Sequence, residues 1–187
     1  MEDKMKWIFV MCIALTSQIV WAKNTNVVMR TNEGDIELEL FNDKAPKSVA
    51  NFLDYVKSGH YKKTIFHRVI PNFMIQGGGF DKDLVEKKTN PPIENEAKLH
   101  QLKNEVGTIS YARTEDPNSA TSQFFINVKD NSFLDYSLRN PGYAVFGKVI
   151  KGMDTVKKIE MAKTGNRGMM DDVPLKPIEI LDIFEKK

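Results

Sequence analysis

Cysteine is almost absent from this sequence. Of the 187 residues only Cys12 is a cysteine, and it lies in an apolar segment close to the N-terminus. Without that segment the chain can form no disulfide bond and offers no thiol nucleophile, whatever the redox state of its compartment. The preceding residue, Met11, is not the small residue expected before a lipid-modified cysteine. The sequence therefore argues against a disulfide scaffold, a thiol enzyme and a lipid anchor at this position.

Charge of one sign and clusters of metal ligands are also missing. The 27 basic and 25 acidic residues are mixed along the chain and leave a net charge of +2. No basic stripe with interleaved aromatic residues occurs, so we expect no nucleic acid partner. The histidines, His60, His67 and His100, lack the spacing of zinc ligands. We therefore predict no metal site.

The first residues have the features of a secretory signal peptide. Lys4 and Lys6 precede an apolar run over Trp7–Ala14, and Val20–Ala22 offers small residues at the two positions that signal peptidase reads. We predict a signal peptide over residues 1–22, cleaved after its last residue, and export to the periplasm. The alternative is an uncleaved membrane anchor, but the run is short for the roughly 20 apolar residues of a membrane span. We expect membrane contact only through this peptide, before cleavage.

The rest of the chain, residues 23–187, has the pattern of one domain with many short strands and two helices. Over Asp35–Phe41, apolar residues alternate with acidic ones, which is typical of a strand with one face in water. Pro46 suits the start of a helix with apolar residues at helical spacing as far as Val56, and a second, short helix follows Gly152. No internal repeat or flexible linker divides this region. The pattern predicts a closed antiparallel β-barrel with helical plugs, a mainly β fold.

Other segments carry weaker signals. We predict strands over Thr64–Ile70 and Phe73–Gln76, joined by a tight turn. The polar residues 81–104 and the segment 165–174 are predicted to be loops. Gly147, inside a later strand, is expected to mark a bend or bulge.

The stretch Phe66–Phe80 is unusual for an ordinary pair of strands. It sets Arg68 and Gln76 among large apolar residues and includes three consecutive glycines. An arginine fixed among apolar side chains is costly to desolvate unless its donors find partners. The glycines allow positive φ angles and the close approach of another chain segment. This combination indicates a functional site.

Three motifs, Phe66–Phe80, Ser119–Ile126 and Tyr143–Val149, closely resemble the cyclophilin family of peptidyl-prolyl cis–trans isomerases. With the leader and the segment Arg113–Pro117, the chain looks most similar to the bacterial periplasmic branch. The resemblance implies an eight-stranded antiparallel β-barrel closed by two α-helices. It also implies isomerisation of X–Pro bonds during the folding of exported proteins, without a cofactor. The expected partners are proline-containing segments of unfolded or partly folded proteins, and we expect a monomer.

The resemblance also implies the residues of the site. Arg68 takes the place of the catalytic arginine. The apolar pocket for the proline ring falls on Phe73, Met74, Phe125 and Leu134. Other contacts to bound peptide are implied for Phe66, Gln76, Ala112, Arg113, Gln123, Phe133 and Tyr143.

Three positions depart from the pattern of many family members. Phe133 stands where those members have a tryptophan that donates a hydrogen bond to cyclosporin A, so we expect weak cyclosporin A binding. Arg113 replaces an asparagine, but the family uses the backbone there, so peptide binding should survive. Tyr143 stands where a histidine is common.

Other interpretations of the same residues remain open. Phe73, Met74 and Phe125 are of the type that usually fills a core. Phe73 and Met74 are adjacent, so both can line one pocket only if the backbone bends there. His67 has the opposite strand parity to Arg68, which favours a structural, hydrogen-bonded histidine near the site over a proton carrier. The alternative function is a binding module that holds proline-containing segments, with turnover incidental.

Overall fold

The computed structural model describes residues 24–186, so the predicted signal peptide lies outside the described residues. The strands in chain order are β1 (Thr25–Thr31), β2 (Gly34–Leu40), β3 (Thr64–Ile70), β4 (Met74–Asp81), β5 (Thr108–Tyr111), β6 (Phe124–Asn127), β7 (Val145–Lys151), β8 (Thr164–Arg167), β9 (Met170–Pro174) and β10 (Glu179–Glu185). The helices are α1 (Pro46–Lys57), α2 (Ala97–His100) and α3 (Met153–Glu160).

Eight of these strands close into an antiparallel barrel, which confirms the predicted fold. Their order around the barrel is β1–β10–β3–β4–β6–β5–β7–β2. The alternation predicted for β2 is present, since Ile36, Leu38 and Leu40 are fully buried while the glutamates between them are not. These glutamates lie beside lysines at the barrel exterior, as with Glu39 and Lys148 at 3.4 Å.

The two longer helices turn their apolar faces toward the barrel interior. α1 begins at Pro46, as predicted, and buries Val49 and Phe52. α3 buries Val156 and Ile159 in the same hydrophobic core. Each fully buried side chain of this size stabilises the fold by about 1.5–3 kcal/mol, so the helices add to the core as well as covering it.

Two predicted loops contain regular structure. Residues 165–174 form most of the hairpin β8–β9 rather than a loop, with Gly168 in the turn at a φ of 61°. The alternation of buried and exposed residues that reveals a strand is weak there because much of the hairpin is exposed. The single-turn helix α2 lies within the predicted loop 81–104, and β4 continues through the glycines to Asp81.

Gly147 lies beside a bulge, as predicted. Ile109 pairs with Gly147 and Ser110 with Val145, so one residue of β7 is left over. A Cβ atom at Gly147 would lie 2.6 Å from the Glu39 carbonyl oxygen, which explains the glycine. Across the described part of the chain, no helix is long and apolar enough to cross a bilayer.

Candidate active site

β3 carries a β-bulge at His67. Its pairing with β4 shifts between Phe66 and Arg68, where two steps along β3 match one step along β4. An extra residue reverses the alternation of side chains beyond it. Phe66 and Val69 are therefore both buried in the barrel core, while Arg68 lies on the exposed outer surface.

The bulge corrects the role predicted for Phe66. Its side chain is fully buried and packs edge-on against Phe124, with the ring centroids 6.1 Å apart. It does not line the cavity described next, so the prediction that Phe66 contacts bound peptide is wrong.

An open cavity of about 190 Å³ lies on the outer wall of the barrel. It brings together nine residues from six separate parts of the chain. These residues are Arg68, Phe73, Met74, Gln76, Ala112, Arg113, Phe125, Leu134 and Tyr143.

The turn before β4 explains how two neighbouring residues line one cavity. Asn72 has a φ of 58°, in the left-handed region, and Phe73 lies outside the regular strand that starts at Met74. The alternation of a strand therefore does not apply to this pair. The backbone therefore bends just before Met74, as it must if two adjacent residues are to line one cavity.

The apolar residues of the cavity are separate from the barrel core. Met74, Phe125 and Leu134 form a second buried cluster, with Phe73 and Tyr143 packed against it. Met74 and Phe125 are thus buried, as core residues are, but in a cluster distinct from the barrel core. They form an apolar wall that is open to solvent on one side.

Arg68 and Gln76 are cross-strand neighbours at the edge of this cavity. The amide nitrogen of Gln76 donates to Oε1 of Gln123 at 3.1 Å. Within residues 24–186 the guanidinium of Arg68 makes no hydrogen bond or ion pair, and the residue is exposed. Its donors are thus available to a ligand in the cavity.

The rim of the cavity is built from Arg113, Tyr143 and Phe133. The guanidinium carbon of Arg113 lies 4.3 Å from the centre of the Tyr143 ring, and its Nε donates to the Gly142 carbonyl at 3.1 Å. Phe133 does not line the cavity itself; it is 65% exposed and stacks on Phe73 with the centroids 5.6 Å apart.

His67 is buried on the outer side of the barrel wall. It is 5% exposed and packs against Phe80, with the ring centroids 4.8 Å apart. Burial lowers the pKa of His67 to about 4, so the imidazole is neutral at pH 7. Its Nδ1 has no hydrogen-bond partner among the described residues, while a hydrogen bond with the Ile65 backbone partly offsets the effect of burial on the pKa.

Two further depressions flank the cavity; the predicted peptide contacts include most of the residues named for the first, whereas the second was not predicted. On one side, Gln123 lies in a groove that also contains Gln76, Ala112, Arg113 and Glu86. On the other, Arg68 and His67 share a depression with Met170, Asp171 and Asp172. The last three residues belong to β9, whose hairpin was predicted to be a loop, so no pattern could bring them near Arg68.

The structure is a closed antiparallel barrel with an arginine beside an apolar cavity on its outer wall. Residues 26–184 match the family model described as "Cyclophilin type peptidyl-prolyl cis-trans isomerase/CLD". The chain belongs to this family and is a peptidyl-prolyl cis–trans isomerase.

Bacterial relatives support the same assignment along nearly their whole length. A peptidyl-prolyl cis-trans isomerase of Acinetobacter baylyi is 58% identical over 160 residues, which cover 86% of this chain and 85% of the relative. Peptidyl-prolyl cis-trans isomerase A of Dickeya dadantii is 59% identical, with 84% and 82% covered. Peptidyl-prolyl cis-trans isomerase B of Escherichia coli is 54% identical, with 82% and 95% covered.

A solved structure shows the same fold. The cyclophilin-type isomerase of Cryptosporidium parvum, crystallised in the presence of the dipeptide Ala-Pro, is 32% identical to this chain. The TM-score is 0.71, and the match covers 87% of this chain and 99% of the other.

Proposed function

We propose that Arg68 catalyses isomerisation by donating a hydrogen bond to the proline nitrogen of the substrate in the twisted transition state. Rotation about an X–Pro bond must overcome amide resonance, a barrier of about 18–20 kcal/mol. In the twisted state the nitrogen becomes pyramidal and regains a lone pair, which the planar ground state lacks. A donor at this nitrogen therefore stabilises the transition state more than the substrate. The observation that carries the proposal is the unpaired guanidinium beside the apolar cavity.

The apolar residues of the cavity would hold the proline ring. Phe73, Met74, Phe125 and Leu134 help to line a cavity of about 190 Å³, which has room for a proline ring. A ring in this space excludes water from the guanidinium, and a drier site strengthens its hydrogen bond.

The substrate residues that precede the proline would pair with the backbone of this protein at Ala112 and Arg113. The Ala112 N–H already donates to the Gln123 carbonyl at 3.0 Å, which extends the β5–β6 ladder by one residue. Within the described chain, neither the Ala112 carbonyl nor the Arg113 N–H takes part in a backbone hydrogen bond. These two groups are thus free to pair with an extended peptide.

Substitution of Arg68 tests the chemical step. We expect Arg68→Ala to lower kcat by about two to three orders of magnitude, by analogy with the loss of one donor in an oxyanion hole, while proline peptides still bind. Arg68→Lys keeps the charge but not the planar fork and should recover only part of the rate. Arg30→Ala, at another exposed strand arginine, is the matched control and should leave the rate unchanged. Wild-type turnover in Arg68→Ala would refute the mechanism.

We further propose that the substrates are exported proteins folding in the periplasm. The support is the sequence of residues 1–22, with its lysines, apolar run and Val20–Ala22 cleavage pattern. Mass spectrometry of the protein expressed from the full sequence tests this step. We expect a chain starting at Lys23 in the periplasmic fraction; an uncleaved chain in the membrane fraction would support the anchor instead.

A further inference from the structure

Three walls of the proline cavity come from irregular parts of the chain. Phe73 lies in the turn before β4, Leu134 ends a single 3₁₀ turn over Ser132–Leu134, and Tyr143 precedes β7. Backbone hydrogen bonds join Phe73 to the residue after β6, since the Val128 N–H donates to the Phe73 carbonyl at 3.1 Å, and join Tyr143 to Leu134, since the Tyr143 N–H donates to the Leu134 carbonyl at 2.9 Å. Neither bond connects Phe73 with Leu134, so another contact must set the distance between these two walls.

Asn131 joins two of these walls directly. Its side chain is almost completely buried, at 2% exposed. The amide nitrogen donates to the Phe73 carbonyl at 2.8 Å and to Oδ1 of Asn127 at 2.7 Å. Its own carbonyl accepts the Leu134 N–H at 2.9 Å. One residue thus holds the backbone of Phe73 on one side of the cavity and that of Leu134 on the other.

Two more buried asparagines extend this connection to the barrel and to the third wall. Asn127, on β6, donates to Thr108 Oγ1 at 2.9 Å and to Oδ1 of Asn104 at 3.3 Å. Asn104 accepts the Asn131 N–H at its carbonyl, at 2.8 Å, and its amide nitrogen lies 3.5 Å from the Tyr143 carbonyl. Both are at most 1% exposed, so these amides cannot exchange their partners for water.

We propose that Asn131 is a positioning residue for proline binding, which holds Phe73 and Leu134 at the spacing that fits the ring. This rests on the proposed function of the cavity. Asn131 does not line the cavity, so it acts only through its two neighbours. Since Arg68 lies on β3 and has no contact with this network, the proposal assigns Asn131 to substrate binding and not to the chemical step.

The test separates substrate binding from turnover in Asn131→Ala. We expect KM to rise about tenfold, the size expected when one hydrogen bond to a buried group is lost, while kcat changes by less than about threefold. An unchanged KM, or a fall in kcat alone, would overturn the proposal.

A matched control distinguishes positioning from general stability. Asn51, on α1, is also buried and donates twice, to Tyr111 Oη at 2.8 Å and to the Thr121 carbonyl at 2.7 Å. We expect Asn51→Ala to lower the melting temperature about as much as Asn131→Ala but to leave KM unchanged. If both variants raise KM equally, the effect is general and the proposal is wrong.

A measurement on the wild-type protein covers the case in which Asn131→Ala does not fold. In NMR spectra we expect the side-chain amide protons of Asn131 to exchange slowly and to shift when the dipeptide Ala-Pro is added. Fast exchange, or no shift on saturation, would overturn the positioning role. Failure of the wild type to bind proline peptides at all would instead contradict the proposed function of the cavity.

Discussion

Phe124 and Phe125 are neighbours on β6, yet they belong to two different apolar regions. Phe124 is fully buried in the barrel core, where it packs against Phe52 and Tyr61 with centroids 5.9 and 5.6 Å apart. Phe125 belongs to the cavity cluster and packs against Tyr143 at 5.8 Å. The core is enclosed on all sides, while the cavity cluster is open to solvent on one side. Stability and substrate binding should therefore respond separately to the same substitution at consecutive positions.

The largest effect on stability is expected for Phe124→Ala. Removing a phenylalanine from an enclosed core leaves an empty space and costs about 3–5 kcal/mol. Urea denaturation should show this loss in the free energy of unfolding, while the folded fraction keeps its KM for proline peptides. A loss below about 1 kcal/mol would mean that the core is not the tightly packed region that the structure indicates.

Phe125→Ala should reduce substrate binding more than stability, the opposite of Phe124→Ala. Loss of its proposed contact with a proline ring should lower kcat/KM by about 10- to 100-fold, since such contacts are worth about 1.5–3 kcal/mol. The free energy of unfolding should fall less than in Phe124→Ala, because water can fill a space that is already open. Equal stability losses in the two variants would contradict the separation of the two regions.

His67 belongs to neither region and should appear in the pH dependence of stability. Burial lowers its pKa from the ordinary value of 6.5 to about 4 in the folded protein. Below pH 6.5 the unfolded chain binds a proton that the folded protein does not, so stability falls as the pH drops from 6.5 toward 4. We expect a loss of about 2 kcal/mol between pH 7 and pH 5 from this group.

Comparison with His67→Gln isolates this contribution. The variant should lose about 2 kcal/mol less than the wild type between pH 7 and pH 5, and its kcat/KM at pH 7 should stay close to that of the wild type. Equal pH dependence of unfolding in the two proteins would show that His67 is protonated in the folded state.

The smallest effect is expected at the rim of the cavity. The side chain of Phe133 has no N–H group, and at 65% exposed it leaves room for a larger ring stacked on Phe73. Phe133→Trp should strengthen inhibition by cyclosporin A by up to about tenfold, the contribution of one hydrogen bond. Phe133→Leu is the control and should bring no gain. Inhibition that is equal in all three proteins would exclude a role for this position.

Regions with a clear contrast between buried and exposed faces could be predicted from the sequence. The alternation in β2 and the helical spacing in α1 are local consequences of burial on one face, so both elements were predicted correctly. The residues around the cavity were identified through family motifs, and nine of them line the cavity in the structure. The required bend between Phe73 and Met74 follows from their adjacency alone.

Features without a local signal were missed. The hairpin β8–β9 is largely exposed and has no clear alternation to reveal it. The bulge at His67 is set by pairing with β4, so no local pattern showed that Phe66, which the resemblance placed at the site, lies in the core. Asn131 is one polar residue in a polar loop, and its partners Phe73 and Asn127 meet it only in the folded barrel.

The bulge in β3 makes the direction of Arg68 depend on the number of residues before it as well as on their identity. Two residues separate Phe66 from Val69, and without the bulge regular alternation would send these two side chains to opposite faces. The extra residue lets both side chains enter the core while Arg68 lies on the outer surface. Substitutions can therefore accumulate at His67 without moving the arginine, provided that the bulge is kept.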